Sequence, residues 1–260
     1  MPGTAHFGVH HRTPRQALLF RIVLWLTLLL GQMPAGQLCA QEESESAQVN
    51  VQPQPAYLQQ TEVLLQSGQV QQALQHIVDQ HARSLQDMIE LTQIPAPPFA
   101  EQERGQRFAE LLREAGLQDV SIDEMGNVIG RRPGRSNLRR IAYSAHLDSV
   151  FPADTDVTVR QEGDTYFAPG IGDNTRGMVV VLEVLRALQF AQIQTEHELL
   201  FIGNVGEEGL GDLRGIKHLF RPGAETIDAL VAVDGGAMQR LVYGAVGSHR
   251  YRIVFKGPGG

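Results

Sequence analysis

Glu198-Leu199-Leu200-Phe201-Ile202-Gly203, running on into Asn204-Val205-Gly206-Glu207-Glu208-Gly209, decides how the rest of the chain is read. The first six residues are a short apolar run with the pattern of a buried strand. The next six form a glycine-flanked loop that sets two carboxylates side by side where that strand leaves its sheet. Adjacent negative charges repel, and a loop that only turns the chain has no use for them. A cation or a shared proton relieves the repulsion. Taken alone, the pair also reads as the solvated acidic opening of a helix around 212–220. Its weight depends on what else the chain delivers to the same place.

Working outward, the neighbouring segments repeat the form of a strand followed by a polar loop. Residues 140–145 read as a buried strand ending in His146-Leu147-Asp148, and 229–233 as another ending in Asp234-Gly235-Gly236. Gly170-Ile171-Gly172-Asp173-Asn174 precedes a strongly apolar helix over 177–188. A hairpin fits 120–122 and 127–130, and a minor strand fits 165–167. Upstream, helical spacing over 70–94 predicts one helix stopped by Pro95-Ala96-Pro97-Pro98. A second helix over 101–114 turns Phe108, Leu111 and Leu112 inward and stops at Gly116. Strands alternating with helices mean an α/β fold, a mixed sheet flanked by helices. Leu241-Val242-Tyr243 and 251–255 predict two late strands, with Gly247-Ser248 marking a domain boundary between them.

In open α/β sheets the ligand crevice lies outside the carboxyl ends of the strands. Four segments therefore bring His146, Asp148, Asp173, Glu207, Glu208 and Asp234 to one edge. Singly, each has a structural explanation: a strand-end Asp caps a turn, and Asp173 suits a helix N-cap. Together they suit a hydrolytic site with two metal ions. Carboxylate and imidazole ligands fit zinc, and also manganese or cobalt. Two ions about 3.5–4 Å apart need a bridging carboxylate. A carboxylate left over from ligation then serves as general base. Asp148, two residues beyond His146, is placed to hold the imidazole's tautomer.

The chain's opening reads differently. Residues 1–40 contain Arg12, Arg15 and Arg21, no acidic residue, an apolar run over 22–30, and then Leu38-Cys39-Ala40. That order is a secretory signal cleaved after Ala40, and nine apolar residues are too few for the roughly 20 of a membrane span. Cys39 is the single cysteine, and the bulk of Leu38 argues against its being a lipoprotein acylation site. The mature chain then lacks thiols, so any metal is held by His, Asp and Glu. Removing the signal leaves 19 basic against 29 acidic residues, a balance of −10. With no basic stripe, nucleic acid is excluded as a partner. Residues 41–68, rich in Gln, Glu, Ser and Pro, read as a flexible lead-in.

The ordered motifs Ser144-Ala145-His146-Leu147-Asp148, Gly170-Ile171-Gly172-Asp173-Asn174, Gly206-Glu207-Glu208-Gly209 and Asp234-Gly235-Gly236 resemble the dizinc aminoacylase/carboxypeptidase family. That family includes peptidase T, acetylornithine deacetylase, succinyl-diaminopimelate desuccinylase and glutamate carboxypeptidase. The resemblance implies a zinc-exopeptidase fold, with a catalytic domain over 69–246 and the start of an inserted α+β lid over 247–260. It implies that His146 and Asp234 bind one Zn2+ and Glu208 the other, with Asp173 bridging. Glu207 is then the general base, and Asp148 orients His146. Asn174 stands where the family more often has Asp, which implies modest tuning. The chain stops at Gly260, before the family's last His ligand, so the expectation is a truncated enzyme, inactive as given. None of His76, His81, His197, His218 or His249 has a matching context. The function implied is an exported exopeptidase acting on short peptides. An N-acyl-amino-acid deacylase on the same metals is the alternative, and a non-catalytic binding protein the third reading. The resemblance also allows a homodimer through the lid.

Overall fold

The computed structural model describes residues 53–235, 241–244, 247, 251 and 253–257. The chain divides into two compact units at Pro55, and the described residues lie in the second apart from 53–55. The signal segment over 1–40 and Cys39 lie outside the described residues.

Four helices come first: α1 (Pro55–Gln66), α2 (Gly68–Asp79), α3 (His81–Thr92) and α4 (Gln102–Glu114). α1 falls within the stretch expected to be a flexible lead-in. It has Pro55 at its first position, where the missing N–H costs nothing, and it buries no residue. Ser67 caps α2 by accepting the Val70 N–H at 3.3 Å. The single helix expected over 70–94 is two, broken at Gln80 (φ −92°, ψ 10°). The break lets both halves lie on the same later helix, Arg176–Phe190, with Ala73 and Ile77 of α2 packed on it.

Next come β1 (Asp119–Ile122), β2 (Val128–Arg132), β3 (Arg140–His146), β4 (Arg160–Glu162) and β5 (Thr165–Phe167). A five-residue turn over Ile171–Thr175 leads into α5 (Arg176–Phe190), β6 (Glu198–Asn204), α6 (Arg214–Leu219) and β7 (Ala229–Ala232). β4 escaped the sequence reading because it is three exposed residues, paired with β5 through a tight turn at Gly163 (φ +60°).

The main sheet runs β1-β2-β6-β3-β7, antiparallel across β1, β2 and β6 and parallel across β6, β3 and β7. Central β6 and the inner part of β3 are buried, while β1 and β7 form exposed edges. α4 and α5 cover one face with Phe108, Leu112, Met178, Leu182 and Leu185, all fully buried against Phe201 and Leu147. The other face carries the smaller cluster of Ala142, Leu200, Ile202 and Leu219 beneath α6. Among the described residues the two late strands are not seen: 241–244 and 253–257 have no regular structure, and Leu241 and Phe255 are largely exposed. Apolar alternation there meets no sheet edge, and strand preference depends on such a half-buried surface.

Register brings the ends of the parallel strands level with one another, since His146 pairs with Asn204 and Ser144 with Ala232. Among the described residues no helix is long and apolar enough to cross a membrane.

Candidate active site

β3 ends at His146, which is 3% exposed. The strand ends are tied by Leu147 N–H donating to the Asn204 carbonyl at 2.8 Å and by Ser144 Oγ donating to Asn204 Oδ1 at 2.7 Å. Buried Arg104 from α4 donates to the Leu147 carbonyl at 2.8 Å, fixing the turn past His146.

The imidazole is held from both sides. Its Nδ1 lies 3.0 Å from the Asp148 carbonyl oxygen and 3.6 Å from the Asp148 carboxylate. Its Nε2 faces Asp173 Oδ1 at 2.9 Å and Asp234 Oδ1 at 3.7 Å. Burial opposes protonation of His146, but the hydrogen bonds and charges of Asp148 and Asp234 outweigh it and raise its pKa to about 10. Asp234 is in turn held below its ordinary value by His146.

Asp173 comes from the irregular turn before α5, where it and Asn174 depart from helical angles and share a cis peptide. Asn174 is 1% exposed, and its Nδ2 donates to the Val233 carbonyl at 2.8 Å. That bond ties the Asp173 turn to the end of β7, beside Asp234. The amide at 174 is thus a structural strut as well as a neighbour of Asp173.

Asp148 is fully buried, and its carboxylate does more than face the histidine. Oδ1 accepts the Glu207 N–H at 3.0 Å and Oδ2 the Glu208 N–H at 2.9 Å. Burial raises the Glu207 carboxyl above its ordinary value, and the charges of Asp234, Asp148 and Asp173 add to it. Glu208 is raised for the same first reason, with Glu207 as the next contributor.

The structure brings all six expected residues to one edge. The ligating atoms of five of them form two overlapping groups, His146-Asp173-Asp234 and His146-Glu207-Glu208, each with its atoms within 4.8 Å of one another. Glu208 thus shares a group with His146 and Glu207 rather than with Asp173. The other described histidines lie in different settings: His76 stacks on Phe190, and His218 sits beside Asp123 and Glu124. Five carboxylates crowd one buried imidazole, Asp173 and Asp234 with more than half of each side chain exposed. That excess of negative charge, with oxygen and imidazole donors and no sulfur, fits a divalent cation of the zinc type.

Comparison with known proteins agrees. Residues 127–250 match Peptidase family M28. A protein of Pyrococcus abyssi named as a LysW-lysine/LysW-ornithine hydrolase is 31% identical over 165 residues, covering 64% of this chain and 44% of that protein. An N-carbamoyl-L-amino-acid amidohydrolase of Paenarthrobacter aurescens is 31% identical over 132 residues, 49% of this chain and 28% of that one. Among solved structures, aminopeptidase PepT from Bacillus cereus superimposes with a TM-score of 0.52 at 24% identity, over 60% of this chain and 44% of that one. The chain spans less than half the length of each of these three. The sheet is similar to that of aminopeptidase PepT, and the residues gathered at its edge suit a divalent metal ion. In fold and in the order of its site residues the chain resembles the dizinc aminoacylase and peptidase type.

Proposed function

We propose that this chain carries the metal centre of an exported exopeptidase that hydrolyses short peptides near one end. The supporting observation is the pair Glu207 and Glu208, pinned by both oxygens of one buried carboxylate and turned toward His146. His146, Asp173 and Asp234 would hold one ion, and Glu208, which lies beside His146 and Glu207, would contribute to a second. Such ions supply a lowered water pKa and a polarised carbonyl. Glu207 takes the proton of the attacking water and returns it to the leaving amine nitrogen. Its raised proton affinity suits both transfers. Asp148 holds His146 by Nδ1 and leaves Nε2 for ligation. Export is supported by the order of arginines, apolar run and small residues over 1–40.

The second reading is an amidohydrolase acting on N-acyl or N-carbamoyl amino acids. Two relatives at 31% identity, one named as a LysW-lysine/LysW-ornithine hydrolase and the other as an N-carbamoyl-L-amino-acid amidohydrolase, favour it. The same residues serve either bond. Zinc content of a full-length enzyme, measured beside hydrolysis of a panel of di- and tripeptides, N-acetyl and N-carbamoyl amino acids, separates the readings. Turnover confined to the blocked amino acids would overturn the peptidase proposal.

A further inference from the structure

Four consecutive backbone amides in the loop after β6 each donate to a side chain from a distant part of the chain. Val205 N–H reaches Asn127 Oδ1 at 3.1 Å, and Gly206 N–H reaches Glu101 Oε1 at 3.1 Å. The Glu207 and Glu208 amides go to Asp148. Asn127 also donates through Nδ2 to the Gly215 carbonyl at 3.1 Å, and Gly215 N–H returns to the Val205 carbonyl at 3.0 Å, closing the loop over 205–215.

Glu101 stands out among these acceptors. It is 2% exposed, directly ahead of α4. Both its oxygens accept from Arg214 Nη2, at 2.7 and 2.8 Å, and the Arg214 guanidinium lies 4.5 Å over the Phe99 ring. Buried ion pairs add little net stability compared with apolar packing, so a positional role is the better-attested reason for one. Here the position fixed is that of Gly206 (φ +62°), the residue immediately before Glu207. A glycine in the left-handed region is the natural pivot of a loop. Without its amide anchored, rotation there would swing both glutamates.

Resting on the assignment of Glu207 as base and Glu208 as ligand, we propose that Glu101 and Arg214 are positioning residues. Through the Gly206 amide they hold the loop so that both glutamates face His146. Their effect passes through the backbone.

Amide hydrogen exchange on the zinc-free protein tests the anchor directly. In Glu101→Ala, exchange at 206–208 should quicken about ten- to a hundredfold, the scale of losing a hydrogen bond to a charged group. The interior amides of α4 and β6 should stay protected. Glu101→Gln keeps an oxygen acceptor and should keep most of the protection. Should Glu101→Ala fail to fold, Arg214→Lys, which keeps the charge but loses the paired contact, should still quicken 206–208 selectively. Unchanged exchange at 206–208 in the folded variants overturns the proposal. Zinc titration by calorimetry tests the consequence. Glu101→Ala should weaken binding in the wild-type background and add little in a Glu208→Gln background, because both act through one ligand. Fully additive losses overturn the positioning role. If Glu208→Gln alone leaves zinc binding intact, the metal assignment is what fails, and the exchange result still judges the anchor.

Discussion

Replacing Asp148 by Asn removes one charge and almost no volume, which makes it a clean probe of what the buried carboxylate does. In the native site its two oxygens accept the Glu207 and Glu208 amides at 3.0 and 2.9 Å, and Oδ1 lies 3.6 Å from His146 Nδ1. The asparagine amide keeps one acceptor and turns an NH2 toward the other N–H. One hydrogen bond to a charged acceptor is lost, at about 1.5–3 kcal/mol, and a buried donor is left facing a donor, at about 1–3 kcal/mol. Relief of the carboxylate's own burial cost offsets part of this. The net expectation is a loss of roughly 2–4 kcal/mol, a large share of a domain's typical 5–15 kcal/mol. Urea unfolding of the zinc-free protein reads it as a lower midpoint at unchanged slope. The pH dependence carries its own sign. Burial opposes ionisation of Asp148, but His146 and the two amides outweigh it and hold its pKa below the ordinary 3.8. The carboxylate's contribution is therefore complete above that value and lost as pH falls through the lowered native one. The gap between wild type and variant should be full at pH 6 and shrink in acid. A loss under ~1 kcal/mol at pH 6, or a gap that widens in acid, would refute the reasoning.

Three further outcomes are expected. In a full-length enzyme, Glu207→Gln should keep its metal and lose at least the ~10²-fold in turnover typical of a missing general base, whereas Glu208→Gln should lose metal; the opposite pattern in elemental analysis would reverse the two roles. Because His146 is held up to about 10 in the metal-free site, zinc must displace a proton there, so apparent affinity should climb about tenfold per pH unit from 7 to 9. An affinity that levels off above pH 7, measured against a competing chelator, would show that the imidazole is already free. Gly215→Ala would place a Cβ 2.5 Å from the Val205 carbonyl oxygen and 2.7 Å from its nitrogen, and should destabilise by roughly 1–3 kcal/mol. Gly68→Ala, with nothing within 4 Å, is the matched control, and equal midpoints for the two would count against the packing described.

The metal-site candidates were legible because each stands at the end of an apolar run, where strand polarity alone carries it to one edge of the sheet. His146, Glu207, Glu208 and Asp234 all follow that rule, and Asp173 follows its counterpart at a helix start. The breaks and edges were not legible. Gln80 has no glycine or proline to announce it, and only the placing of α2 and α3 against one helix calls for the break. The segments 241–243 and 251–255 carry strand-like composition, but composition does not supply a sheet edge to pair with.

The acceptors beneath the site were hidden for a different reason. Glu101 and Asn127 act on backbone amides 105 and 78 positions away, and an amide N–H has no side-chain identity for a sequence pattern to match. In the sequence Glu101 reads only as the first residue of a helix. Buried, and paired with Arg214, it becomes the counterpart of Asp148, each anchoring one side of the bond between Gly206 and Glu207. The ligands of such a site can be read as residue types at strand ends. Their aim is set by a second set of carboxylates whose partners are peptide groups, and those emerge only when the loop is closed in three dimensions.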